Sequence, residues 1–124
     1  MISIDEMEEM LNEIAEKFPK ELFKELNGGI LLLPAAKENE HSLNHDLFIL
    51  GEYHRGGTMG RYINIYYGSF MKVYGRISKA GLKKRLEDTL KHEFIHHLES
   101  LAGERALEIE DREFMEKYLD EKRK

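Results

Sequence analysis

Residues 78–103 read SKAGLKKRLEDTLKHEFIHHLESLAG, a proline-free amphipathic run that decides the fold. Ser78 is placed to cap it. Leu82, Leu86, Leu90, Phe94, Leu98 and Leu101 recur at helical spacing and form one apolar stripe, and Gly103 is placed to end it. A long central helix through Ala102 is predicted. Within it stands His92-Glu93-Phe94-Ile95-His96. Side chains four apart on a helix project from one face, so His92 and His96 are able to bring two imidazole nitrogens to one metal ion. On the helical wheel both lie off the leucine stripe and face a cleft, whereas His97 points into the edge of the stripe and reads as a core or supporting histidine.

Zinc takes neutral nitrogen ligands at about 2.0–2.1 Å, and a rigid helix fixes both rings without further ordering. Glu93, leaning towards a bound water, is the candidate general base. Zinc lowers the pKa of such a water to about 7, and Glu93 would pass the proton to a leaving amine. A third protein ligand is expected. Glu99 lies about 4.5 Å beyond His96 along the axis, and Glu104 about 12 Å beyond it, so neither closes the same tetrahedron easily. An extended return after Gly103 reaches Glu108 first and then Asp111, at the mouth of a last helix carrying Phe114, Met115, Tyr118 and Leu119. Asp111 is the preferred ligand and Glu108 the alternative.

Working back from this helix, Ser3 and Glu6 fit a capping box ahead of Ile4, Met7, Leu11, Ile14 and Phe18, an amphipathic first helix. Pro19 is expected to start a second short helix through Leu26, stopped at Asn27-Gly28-Gly29. Ile30 to Leu33 and Leu47 to Gly51 read as strands. Between them, Ala35 to His45 reads as a polar surface loop in which His41 and His45 are solvated. Arg61 to Tyr66 alternates in period two and is expected to pair with the preceding strand across the Arg55–Gly60 turn. Ser69 to Tyr74 fits a strand or a helical turn, with the turn preferred.

The 124 residues are 41% hydrophobic, enough to bury one core, so a single domain over 1–124 is expected. A net charge of −5 argues against nucleic-acid binding, which draws on a surplus of Lys and Arg along one face. Lys79, Lys83, Lys84 and Arg85 are read as solvated helix faces. The absence of cysteine excludes disulfides and thiolate-held zinc, leaving imidazole and carboxylate as ligands. The acidic start of the chain and the lack of a long apolar run point to a cytoplasmic protein with no membrane partner.

The run His92-Glu93-Phe94-Ile95-His96-His97-Leu98-Glu99-Ser100-Leu101-Ala102-Gly103-Glu104 resembles the signature of one branch of the small bacterial zincin-like metallopeptidases. Gly51-Glu52-Tyr53-His54, the strand Tyr62 to Tyr66 and Tyr67-Gly68-Ser69-Phe70 also look like that branch. The resemblance implies an α+β zincin-like fold, with a small, mostly antiparallel sheet packed on a long central active-site helix and helices at both ends. It implies zinc-dependent hydrolysis of a peptide or protein substrate, with zinc held by His92 and His96. In the shorter relatives an aspartate opening the terminal helix is the third ligand, in a pattern similar to Ile109-Glu110-Asp111-Arg112. This chain departs from them in carrying Glu99 in place of a glycine and several inserted residues before Asp111.

In such folds a peptide pairs with an exposed sheet edge, for which the hairpin at Arg61 to Tyr66 is the candidate. Tyr53, Tyr62, Tyr66, Tyr67 and Tyr74 carry hydroxyls suited to steadying an oxyanion, though packing roles are commoner for sheet tyrosines. His54 is a further candidate contact for metal or substrate. Two rival functions use the same residues: a non-catalytic metal-binding domain, and a metal-free protein-interaction module.

Overall fold

In a computed structural model, which describes residues 1–103, 113 and 116–118, Ser3 accepts from the Glu6 backbone N–H and the Glu6 side chain answers the Ser3 N–H. This capping box opens α1 (Ile4–Lys17), whose Met7, Leu11 and Ile14 are buried. Only a 3-10 turn over Lys20–Phe23 follows, in place of the expected helix through Leu26. The reason lies in burial: Leu22 and Leu26 both reach the core, and Glu25 takes a left-handed φ of 63° to bring the second one in. Gly29, at φ 72°, turns the chain into β1 (Gly29–Leu33).

The polar loop is shorter than its composition suggests, because Lys37–Glu38 (β2) pairs antiparallel with Phe48–Ile49 (β3). The strand expected over Leu47 to Gly51 is interrupted at Leu50, and β4 (Gly51–His54) runs on into the main sheet. That sheet has the order β1-β5-β4, where β5 is Tyr62–Tyr66. β4 and β5 form the expected antiparallel pair, but β1 joins β5 in parallel, so the sheet is mixed and not mostly antiparallel. The central place of β5 overrides its period-two pattern. Ile63 and Ile65 enter the hydrophobic core, while Asn64 and Tyr66 are also buried against Glu52 and Lys37 on the opposite face.

Tyr67–Tyr74 forms α2, the helical alternative for this segment, and packs on β1, β2 and β3. The long helix α3 spans Lys79–Ala102, with Ser78 accepting from the Gly81 N–H and Gly103 at its end. Its stripe of Leu82, Leu86, Leu90, Phe94, Leu98 and Leu101 is the centre of the core. Phe94 meets Phe18 and Phe23 edge-on at 5.5 and 5.0 Å between centroids, which joins α3 to the amino-terminal segment. On α3, Lys79 pairs with Glu6 at 2.9 Å and Lys84 with Asp88 at 2.8 Å, while Arg85 covers the Tyr74 ring. The architecture is α+β. Residues 113 and 116–118 are helical, and Tyr118 packs against the core. Among the described residues no helix is long and apolar enough to cross a membrane.

Candidate metal centre

Because α3 buries its leucine stripe, the helix must turn His92 and His96 outward. Both are exposed, and their Nε2 atoms lie 3.1 Å apart with the rings edge to face. Two nitrogens each about 2.0–2.1 Å from one tetrahedral ion stand about 3.3 Å apart, so the pair is already close to chelating geometry. Glu93 occupies the adjacent, inward position and is only 5% exposed. Burial pushes its carboxyl above the ordinary value, against the pull of the His92 and His96 imidazoles and the Tyr53 backbone amide.

These residues line an open cleft of about 670 Å³ between α3 and β4, together with Gly51, Glu52, Tyr53, Arg55, Glu99 and Ser100. A second hollow of about 450 Å³ shares Gly51, His92 and Glu93 with it and continues past Thr89 to Asn39 and Phe48. The histidines therefore stand midway along a groove. Gly51 makes this approach possible, since a Cβ there would sit 3.0 Å from Thr89 on α3.

His97 is fully buried, as its place on the wheel predicts. Its Nε2 lies 2.7 Å from the Lys24 carbonyl, which only accepts, so Nε2 carries the proton. Burial holds the ring's pKa below the ordinary value, leaving it neutral, and Nδ1 accepts from the Tyr53 hydroxyl at 2.8 Å. Tyr53 thus donates into the core and has no proton for an oxyanion. Of the other candidate tyrosines, two have engaged hydroxyls and two are shown in ring contacts. Tyr66 donates to Glu52 at 2.5 Å, Tyr67 donates to the Ile2 carbonyl at 2.6 Å, Tyr62 stacks on His54, and Tyr74 lies beneath Arg85.

Glu52, a half-buried carboxylate on β4, is a member of the cleft that the sequence reading did not single out. It accepts from Lys37 Nζ at 2.7 Å and from Tyr66. Burial alone raises its pKa, but Lys37 and Tyr66 together bring it below the ordinary carboxylate value. His54 lies outside the cleft: its buried Nε2 is 3.5 Å from Glu52 Oε1 yet makes no hydrogen bond among the described residues. His41 and His45 are exposed, as expected, beside Glu40 and Glu38. Glu99 reaches within 3.9 Å of His96 Nδ1, on the ring edge away from Nε2, consistent with its reading as a supporting or surface group.

The structure brings His92, His96 and Glu93 together. Asp111, Glu108 and Glu104 lie outside the described residues, and among those described no three His, Asp or Glu side chains are grouped to hold one ion. The fold and site define a small α+β protein with an outward-facing H-E-x-x-H pair on its central helix. No family model and no curated protein matches the chain. Among solved structures it is similar to a conserved hypothetical protein from Thermo thermophilus, at 31% identity over 82% of this chain and 98% of the other, with a TM-score of 0.72. The chain belongs to the family of that protein.

Proposed function

We propose that this protein is a zinc-dependent peptidase with a zincin-like fold. The observation that carries the reading is the 3.1 Å separation of the two exposed Nε2 atoms, with the buried Glu93 carboxyl beside them on the same helix. His92 and His96 fit zinc by donor type and spacing, and Asp111 is the proposed third ligand, with Glu108 or Glu104 as the alternatives. When bound, zinc supplies a Lewis acid that polarises a carbonyl and acidifies water.

The chain's own residues supply the rest. Glu93, whose burial beside the histidines raises its pKa, is suited to accept a proton from water and return it to the departing amine. Among the described residues β4 pairs with β5 alone and forms a sheet edge, whereas β5, the edge expected from the sequence, is paired on both sides. An extended peptide added along the free side of β4 would lie in the groove over Glu93. Lys37 neutralises Glu52, so that the floor of the groove is not doubly acidic at that point.

The test is incubation of the zinc-loaded protein with a mixed peptide library, read by mass spectrometry, beside Glu93→Gln. New termini from the wild type and none from the variant are expected. Intact peptides from both would sink the proposal.

A further inference from the structure

Within the cleft, and resting on its reading as the substrate site, one cation stands out. Arg55 follows β4 directly, is exposed, and lines the same cleft as His92, Glu93 and His96. Its Nη1 donates to Ser100 Oγ at 3.2 Å, and Arg61 Nε reaches the same hydroxyl at 3.4 Å. A hydroxyl carries no charge. Lys37, Lys79 and Lys84 are paired with carboxylates, Glu52, Glu6 and Asp88 in turn, while the hydrogen bond that Arg55 makes among the described residues is to this serine. In a chain of net charge −5, a guanidinium held at a cleft mouth by a neutral partner is placed to receive an anion from outside.

Its distance from the histidines fixes which part of a substrate it meets. Ser100 is one turn beyond His96 on α3, about 6 Å along the axis, which is close to two residues of extended chain. The planar fork of arginine matches a carboxylate in geometry and charge. Glu99 borders the cleft nearer His96, so negative charge is favoured only at the Arg55 end.

We propose that Arg55, steadied by Ser100, binds a carboxylate of the peptide substrate about two residues from the scissile bond and gives the cleft a preference for acidic peptides. Two sources supply that group: an aspartate or glutamate side chain, or the α-carboxylate of a peptide's last residue. A strand antiparallel to β4 brings its amino-terminal side to Arg55, so the α-carboxylate reaches it only from a peptide running parallel.

Binding separates this proposal from turnover. Fluorescence anisotropy of the Glu93→Gln protein, with and without added zinc, is measured for labelled alanine-based peptides carrying one glutamate, its glutamine counterpart or a lysine. A peptide with no acidic side chain is compared with its carboxy-terminal amide. At low salt the glutamate peptide, or the free-carboxylate form over its amide, is expected to bind about fivefold more tightly, the size of an exposed charge pair. Arg55→Glu inverts the order in favour of lysine. Equal binding of all peptides, including none, or a preference unaltered by Arg55→Glu, overturns the proposal. An acidic preference in a protein that cleaves no peptide supports this proposal while removing the peptidase reading.

Discussion

The Tyr53 hydroxyl lies 2.8 Å from His97 Nδ1, joining β4 to α3 inside the core directly behind the exposed histidine pair. Since the Lys24 carbonyl accepts from His97 Nε2, the direction of the Tyr53 bond is fixed, and the imidazole is held as a single neutral tautomer. Tyr53→Phe leaves His97 Nδ1 buried without a donor. The variant is expected to be about 1–2 kcal/mol less stable in urea unfolding. Nitrogen NMR of the wild type should show His97 protonated at Nε2, and a proton on Nδ1 would contradict the assignment.

Glu93→Gln tests the carboxyl next to the histidines. The amide has similar shape but accepts no proton, so peptide turnover should fall about 10²–10⁴-fold while zinc content stays unchanged. Retained turnover would assign proton transfer to another group. Loss of zinc would show that Glu93 serves the metal rather than the water.

The Lys37–Glu52–Tyr66 cluster predicts a pH dependence. The folded-state pKa of Glu52 lies below its ordinary value, because Lys37 and Tyr66 outweigh the opposing effect of burial. A carboxyl of this kind contributes stability that is present above its unfolded pKa and is lost as pH falls through the folded one. The wild type should therefore lose stability below about pH 5, and Glu52→Gln should be less stable near neutrality with a flatter acid limb. Parallel acid limbs in thermal melts would dismiss the cluster as a stabilising feature.

Gly68, at the start of α2, packs against the β1–β2 connection. A Cβ there would stand 2.5 Å from the Ala36 nitrogen and 2.7 Å from the Ala35 carbonyl carbon, both backbone atoms that cannot swing aside. Gly68→Ala is expected to cost about 1–3 kcal/mol, measured by denaturant unfolding. No change in midpoint would mean that this connection yields readily.

What was legible in the sequence is local. The cap at Ser78, the leucine stripe and the outward pair His92 and His96 follow from helical periodicity within one segment, and α3 forms as that pattern predicts. The capping box from Ser3 to Glu6 is likewise contained in four residues. Strand order is not local. The parallel pairing of β1 with β5 makes β5 central and leaves β4 as the edge, and no residue pattern within either strand announces it.

The same holds for the walls of the cleft. Arg55 and Ser100 are 45 residues apart in the chain and meet only because β4 packs on α3. The short turn at Lys20–Phe23 departs from the expected helix because two leucines, Leu22 and Leu26, must both reach the core. Glu52 lies just past the strand expected over Leu47 to Gly51, and its partner Lys37 comes from what reads as a surface loop, so no local pattern joins them.

The most direct test of the central claim is elemental analysis of the purified protein beside a His92→Ala, His96→Ala double variant. About one zinc per chain, absent from the double variant, is the result expected of a helix-borne pair with an added carboxylate ligand. A wild-type protein that carries no metal and takes up none from added zinc would contradict it.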